Sequence, residues 1–190
     1  MTAMQVQQRM SAGEFLARPF GEELRGQELV DGELVVSEPT ALHNLAQGKL
    51  FYALTSWTRE SEHRGSVFIP LDVKLDELNV FAPDISWYAA ARAIDVHSPP
   101  PYPRPDLAIE VRSASTWRYD IGAKKSTYER HGLPELWLVD TAAAEVLAFR
   151  RSRPAVESFD VALELGRGEA LESPLLPGFA VALDELFETG

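Results

Sequence analysis

Apolar residues recur along this chain in two periods, and the alternation between them lays out its elements. Over 40–59, Leu42, Leu45, Ala46, Leu50, Ala53, Leu54 and Trp57 return every three or four positions, so the segment predicts a long helix with one apolar face. Thr40 is placed to cap its start. Elsewhere period two dominates. Over 105–113, Leu107, Ile109 and Val111 point one way and Asp106, Ala108, Glu110 and Arg112 the other, which predicts a strand with an acid and a base two residues apart on one face. A second strand is expected over 82–88, entered through Pro83, whose missing N–H suits a strand start, with Asp84 at its beginning. Asp31-Gly32 between two apolar-rich arms predicts a tight hairpin over 27–36. Glu135–Asp140 and Glu145–Arg150 predict another hairpin, and strands are also expected over 67–75 and 156–163.

Short helices complete the pattern. Ser11 and Glu14 form a capping box for a helix that stops before Pro19, and a helix over 120–131 is closed by Gly132 and Pro134. Leu183–Phe187 predicts a last helix against the core. The prolines of 98–105 admit neither a helix nor a central strand, so this segment is expected to be a stiff, exposed connector. Strands before, between and after helices indicate an α/β (α+β) mixed sheet. With 190 residues the chain is long enough to bury a core as one domain, 1–190.

Composition narrows the chemistry. No cysteine is present, which excludes disulfides, thiolate metal sites and cysteine nucleophiles, so a metal must be held by oxygen or imidazole. Residues 1–8 lack the basic start and apolar run of a signal peptide, and no stretch is apolar for long enough to span a bilayer, so a soluble, cytoplasmic protein without membrane partners is expected. The net charge of -11 opposes a simple nucleic-acid binder. A carboxylate cluster awaiting a divalent cation inflates that charge, however, and a local basic patch acts despite an acidic whole. His43, His63, His97 and His131 show no close pair of metal-ligand spacing. Neither a Gly-x-Ser-x-Gly elbow nor a phosphate-binding Gly-rich loop occurs.

The candidate chemistry is therefore acidic. Asp84 and Glu110 fall on neighbouring predicted strands, as hard oxygen ligands suited to Mg²⁺ or Mn²⁺, although strand carboxylates also face solvent for no special reason. Lys124 has Asp120 four residues before it and Tyr128 four after. It is thus either an aid to an attacking water or half of a plain i,i+4 pair. Lys125, about 100° round the helix, suits a phosphate contact or simple solubility. Arg112 can hold a phosphate or pair with Asp106 or Glu110.

Several motifs in order carry a resemblance. They are 28–34 (Glu-Leu-Val-Asp-Gly-Glu-Leu), His43 at the start of the long helix, 83–86 (Pro-Asp-Ile-Ser), 105–113, 118–124 through Tyr128, Glu135–Asp140 and 173–179. Together they resemble the Uma-type family, a bacterial group of "putative restriction endonucleases" in the PD-(D/E)xK nuclease superfamily. The resemblance implies a restriction-endonuclease-like core with flanking helices and additional β-hairpins. It further implies Mg²⁺ on Asp84, Glu110 and the Val111 carbonyl, Glu28 as a further catalytic carboxylate, and DNA as substrate. His43, Arg112 and Lys125 are the candidate substrate contacts, and a homodimer is the expected assembly. The superfamily's lysine stands two residues after its acid, where this chain has Arg112, a poor general base. In the Uma-type pattern the helical lysine takes over, and Lys124 holds that position. Ala114 replaces the usual proline after the serine. The expected activity is Mg²⁺-dependent DNA hydrolysis. The rivals are a catalytically inactive scaffold or dimerisation domain of the same fold and, further off, a carboxylate-pair glycosidase.

Overall fold

The structure, a computed structural model, describes residues 9–19 and 26–189, so the reading of residues 1–8 lies outside the described residues. A six-stranded mixed sheet dominates it. In chain order the strands are β1 (Gln27–Val30), β2 (Glu33–Val36), β3 (Ser66–Phe68), β4 (Val73–Asp76), β5 (Asn79–Phe81), β6 (Ile85–Tyr88) and β7 (Leu107–Val111). They continue as β8 (Glu135–Asp140), β9 (Glu145–Arg150), β10 (Val161–Leu165), β11 (Ala170–Glu172) and β12 (Ala180–Ala182). The large sheet has the order β10-β9-β8-β7-β6-β3, with β7 and β8 its parallel pair. A smaller antiparallel sheet runs β2-β1-β5-β4, and β11 pairs with β12.

The two faces of the large sheet are buried differently. Helix α1 is Ala12–Leu16 and α2 is Ala41–Arg59; α2 presses Ala46, Leu50, Leu54 and Trp57 against Leu107, Ile109 and Val111 of β7 and Trp137 and Val139 of β8. The last helix, Leu183–Phe187, joins that side. On the opposite face Ala108, Leu136 and Leu138 meet Tyr128, Leu133 and the small sheet's Val30, Val35 and Phe81. The alternation along β7 thus decides where Glu110 goes. It shares the Ala108 face, between the sheet and the following helix. At about 1.5–3 kcal/mol for each fully buried large apolar side chain, the α2 stripe alone holds this layer firmly.

Local signals explain most elements. Asp31 and Gly32 have φ of 50° and 80°, the positive values a two-residue hairpin turn requires, and β1 and β2 pair as expected. The Ser11/Glu14 capping box is formed, and Thr40 Oγ1 accepts a hydrogen bond from the His43 amide at 3.2 Å. The β8–β9 hairpin and the last helix also match expectation.

Four boundaries differ. The segment 67–75 breaks into β3 and β4, which join different sheets around Pro70, a residue that cannot serve a ladder. The strand expected over 82–88 begins only at Ile85, and that expected over 156–163 begins at Val161. The helix expected from Asp120 starts at Trp117 and has three parts. These are α3 (Trp117–Tyr119), one turn of π-helix (Asp120–Lys124) and α4 (Lys125–Arg130). The proline-rich connector does run outside the sheets, but Tyr102 clips it to β4: its amide donates to the Asp72 carbonyl at 2.8 Å. Among the described residues no helix is long and apolar enough to cross a membrane.

Candidate active site

Register brings the acids together. Ile85 lies opposite Ile109 in the antiparallel β6–β7 pair, so the preceding Asp84 falls beside Glu110. The Val111 amide donates to Asp84 Oδ2 at 2.7 Å, which fixes that carboxylate against the end of β7. From α2, His43 Nε2 lies 3.1 Å from Asp84 Oδ1, and Gln47 Nε2 donates to the Asp84 carbonyl at 2.8 Å. The other His43 nitrogen faces the Arg112 carbonyl at 3.4 Å. Burial disfavours the imidazolium, yet the hydrogen bond and charge of Asp84 outweigh it and raise the His43 pKa.

Lys124 occupies the centre. Its Nζ donates to Glu28 Oε1 and Oε2, both at 2.9 Å, and lies 2.9 Å from Glu110 Oε1 and 3.1 Å from Asp120 Oδ1. Only 2% of its side chain is exposed. Burial works against the ammonium, but Glu110, Glu28 and Asp120 overcome it and hold the pKa well above the ordinary lysine value. Lys124 is therefore a permanent cation. Glu110 has the opposite imbalance: burial drives its pKa well up, Lys124 opposes, and Glu28, Asp120 and Asp84 add to the rise. Tyr128, one turn further along the helix, donates its hydroxyl to Glu110 Oε1 at 2.8 Å. Glu28 is held from behind by the Ala82 amide at 2.7 Å.

Asp84, Glu110, Glu28, Lys124 and His43 all line one cavity of about 860 Å³, which opens between α1, α2, the small sheet and the connector at Pro100 and Tyr102. Asp84 keeps 18% of its side chain exposed there, against 4% for Glu110, so the outer carboxylate is the one solvent reaches first.

Among the described residues no three His, Asp or Glu side chains are arranged to enclose a metal ion. The donor set that is present consists of the Asp84 and Glu110 carboxylates, which both line a water-accessible cavity. That fits Mg²⁺ or Mn²⁺, which binds through one or two carboxylates and retains several waters, and does not fit an all-protein cage. Charge agrees: Glu28, Asp84, Glu110 and Asp120 outnumber Lys124 and His43, and such a surplus in a buried setting attracts either protons or a cation.

Two expected substrate contacts lie elsewhere. Arg112 pairs with neither Asp106 nor Glu110; β7 ends at Val111, and its guanidinium turns to Asp140, with Nη1 2.9 Å and 2.7 Å from the two carboxylate oxygens. Asp106 is taken by Arg92 and by the Ala89 amide. Lys125 rests over Phe149, 4.5 Å from the ring centroid, away from the cavity. Spacing also misses a relay behind Lys124, in which Thr116 Oγ1 donates to Asp120 Oδ2 at 3.0 Å and meets Ser113 Oγ at 2.8 Å. Nothing in the pattern of residues distinguishes Thr116 from a surface threonine; Asp120 alone carries a signal, its place one turn before Lys124.

Among curated proteins nothing matches the chain. A solved structure described as "a putative nuclease belonging to DUF820 from Anabaena variabilis" has the same fold, with a TM-score of 0.77, 18% identity, and 94% of this chain and 97% of that one covered. The model of the Uma2 family, described as "Putative restriction endonuclease", matches residues 12–184, and the chain belongs to that family.

Proposed function

We propose that the chain is a metal-dependent endonuclease that hydrolyses phosphodiester bonds in DNA, with Asp84, Glu110 and the Val111 carbonyl holding Mg²⁺ or Mn²⁺. The observation that carries this reading is the position of the Lys124 ammonium, 2.9 Å from both Glu28 and Glu110 on the wall of the cavity that Asp84 also lines. A divalent ion supplies polarisation of a phosphoryl oxygen and a lower pKa for the attacking water. The remaining chemistry belongs to side chains. Lys124, held charged, stabilises negative charge that develops on the phosphoryl group and orients the water; it has no lone pair free to accept the water's proton. Glu28 and Asp120 aim the ammonium, Tyr128 steadies Glu110, and His43 steadies Asp84. Such support is worth several powers of ten in rate when it keeps reacting groups aligned.

The test is cleavage of supercoiled plasmid with Mg²⁺ or Mn²⁺, with a chelator control, for wild type, Asp84→Asn and Glu110→Gln. Metal-dependent nicking that both substitutions abolish is the expected result. Nicking that continues at full rate in either variant removes that residue from the site. The inactive-scaffold reading draws on the fact that three carboxylates already claim Lys124. It predicts no cleavage with either metal and no metal-dependent change in stability.

A further inference from the structure

Among the described residues three basic side chains line the cavity: Arg18, His43 and Lys124. Two are matched to acids, His43 to Asp84 and Lys124 to Glu28, Glu110 and Asp120. Arg18 makes no ion pair among the described residues, and its Nη1 is buried without a hydrogen-bond partner. A buried guanidinium donor in that state bears its desolvation cost uncompensated, which natural structures tolerate chiefly where something else completes the contact. Its placement is not loose. The guanidinium carbon lies 5.8 Å from the centre of the Phe15 ring, and Phe15 is itself buried with Ala12, Leu29 and Val80 beneath α1. The capping box of Ser11 and Glu14 fixes the start of that helix, so a short, well-anchored element presents the arginine to the cavity.

We propose that Arg18 is a phosphate-gripping residue, which binds a phosphodiester of the nucleic-acid strand lying in this cavity beside the Asp84, Glu110 and Lys124 cluster. This rests on the nuclease reading and adds a substrate contact to it. A planar guanidinium fork matches two phosphate oxygens at once, and in a chain of net charge -11 a cation without an acidic partner among the described residues, on the wall of the same cavity, is what lets a polyanion approach. It also answers the difficulty posed by Arg112 and Lys125, whose charges are engaged outside the cavity.

The experiment measures binding of a fluorescent DNA duplex in Ca²⁺ by anisotropy across a salt series, for wild type, Arg18→Gln and Arg18→Lys, with a thermal melt of each. Expected for Arg18→Gln is an affinity about tenfold weaker and a log–log salt slope shallower by about 0.9, the signature of one lost phosphate contact. Its melting midpoint should stay level or rise, because a buried donor without a partner has been removed. Arg18→Lys should recover the slope but not the full affinity. Wild-type affinity and slope in Arg18→Gln overturn the proposal, as does a fall in its melting midpoint that accounts for the lost binding. Inorganic phosphate is the second probe. If it raises the melting midpoint of wild type and not of Arg18→Gln while wild type binds no duplex, Arg18 holds phosphate and the nuclease reading alone fails. If neither phosphate nor duplex distinguishes the variants, the assignment to Arg18 is wrong.

Discussion

Among the described residues Lys124 pairs with more carboxylates than any other side chain. Its removal leaves Glu28, Glu110 and Asp120 buried around a void, and stripping one partner from a buried ion cluster typically costs about 3–5 kcal/mol. Lys124→Ala should therefore lose that order of stability in urea denaturation at neutral pH, and the deficit should shrink in acid, where the stranded carboxylates take up protons. A deficit below about 1 kcal/mol, the range of exposed ion pairs, would mean that the cluster is solvated. Glu135 provides a separate titration far from this chemistry. Burial raises its pKa although Ser173 and Trp137 both donate to it. A raised folded pKa gives stability that is complete below the unfolded value and is lost as pH rises through the folded one. Glu135→Gln should flatten that decline as pH rises above the ordinary carboxylate range, as read by melting midpoints across pH; an unaltered profile would exclude Glu135 as its source. At this scale the sequence was informative about residue type: the acids and the lysine were visible as unusual polar residues on patterned elements. Partners were not visible. Arg112 sits two residues from Glu110 along the chain but bonds to Asp140 on the next strand, a choice made by where β7 ends.

The single turn of π-helix over Asp120–Lys124 sets the reach of the ammonium. A π turn inserts one extra residue into a helix, and such turns occur frequently at functional sites. Deleting one residue from it ahead of Lys124 should restore the α-helical path and rotate Lys124 and Tyr128 together by about 100° relative to α3, breaking their joint hold on Glu110. Gly122 gives a gentler probe of the same turn. A Cβ there meets no atom within 4 Å, so Gly122→Ala should raise stability by about 0.5–1 kcal/mol through the smaller entropy of the unfolded chain. A fall in the melting midpoint would reveal that the turn needs glycine's freedom. A helical stretch closed by Gly132 and Pro134 located this helix, but sequence pattern at a period of 3.6 cannot register one inserted residue. The same reasoning located β7, the two hairpins and α2, whose patterns are long and regular. It joined β3 to β4 because their combined stretch alternates well, and only the assembled sheets show that Pro70 separates two ladders.

For the molecule as a whole, charge couples folding to its proposed ion. Sheet register, which no local pattern encodes, places Asp84 beside Glu110 although 26 positions of chain separate them, and the acidic balance that argued against a polyanionic substrate is partly concentrated there. A cation bound only by the folded state stabilises it by about 2.7 kcal/mol at a concentration one hundred times its dissociation constant. Wild type should thus melt progressively higher as Mg²⁺ or Mn²⁺ is added, while Asp84→Asn and Glu110→Gln should respond little. The pH dependence has a definite sign. Glu110 holds a proton well above the ordinary carboxylate range because of burial and its acidic neighbours, and a metal ligand must shed that proton. The metal concentration giving half the maximal shift should consequently fall as pH rises, and level off once the pH exceeds the folded pKa of Glu110. Glu110→Gln removes the titrating proton along with the ligand, so whatever weak response it retains should not share this dependence. A metal response independent of pH in wild type would place the ion on carboxylates that are already ionised, away from Glu110, and would leave Lys124 as a structural clamp with no ion beside it.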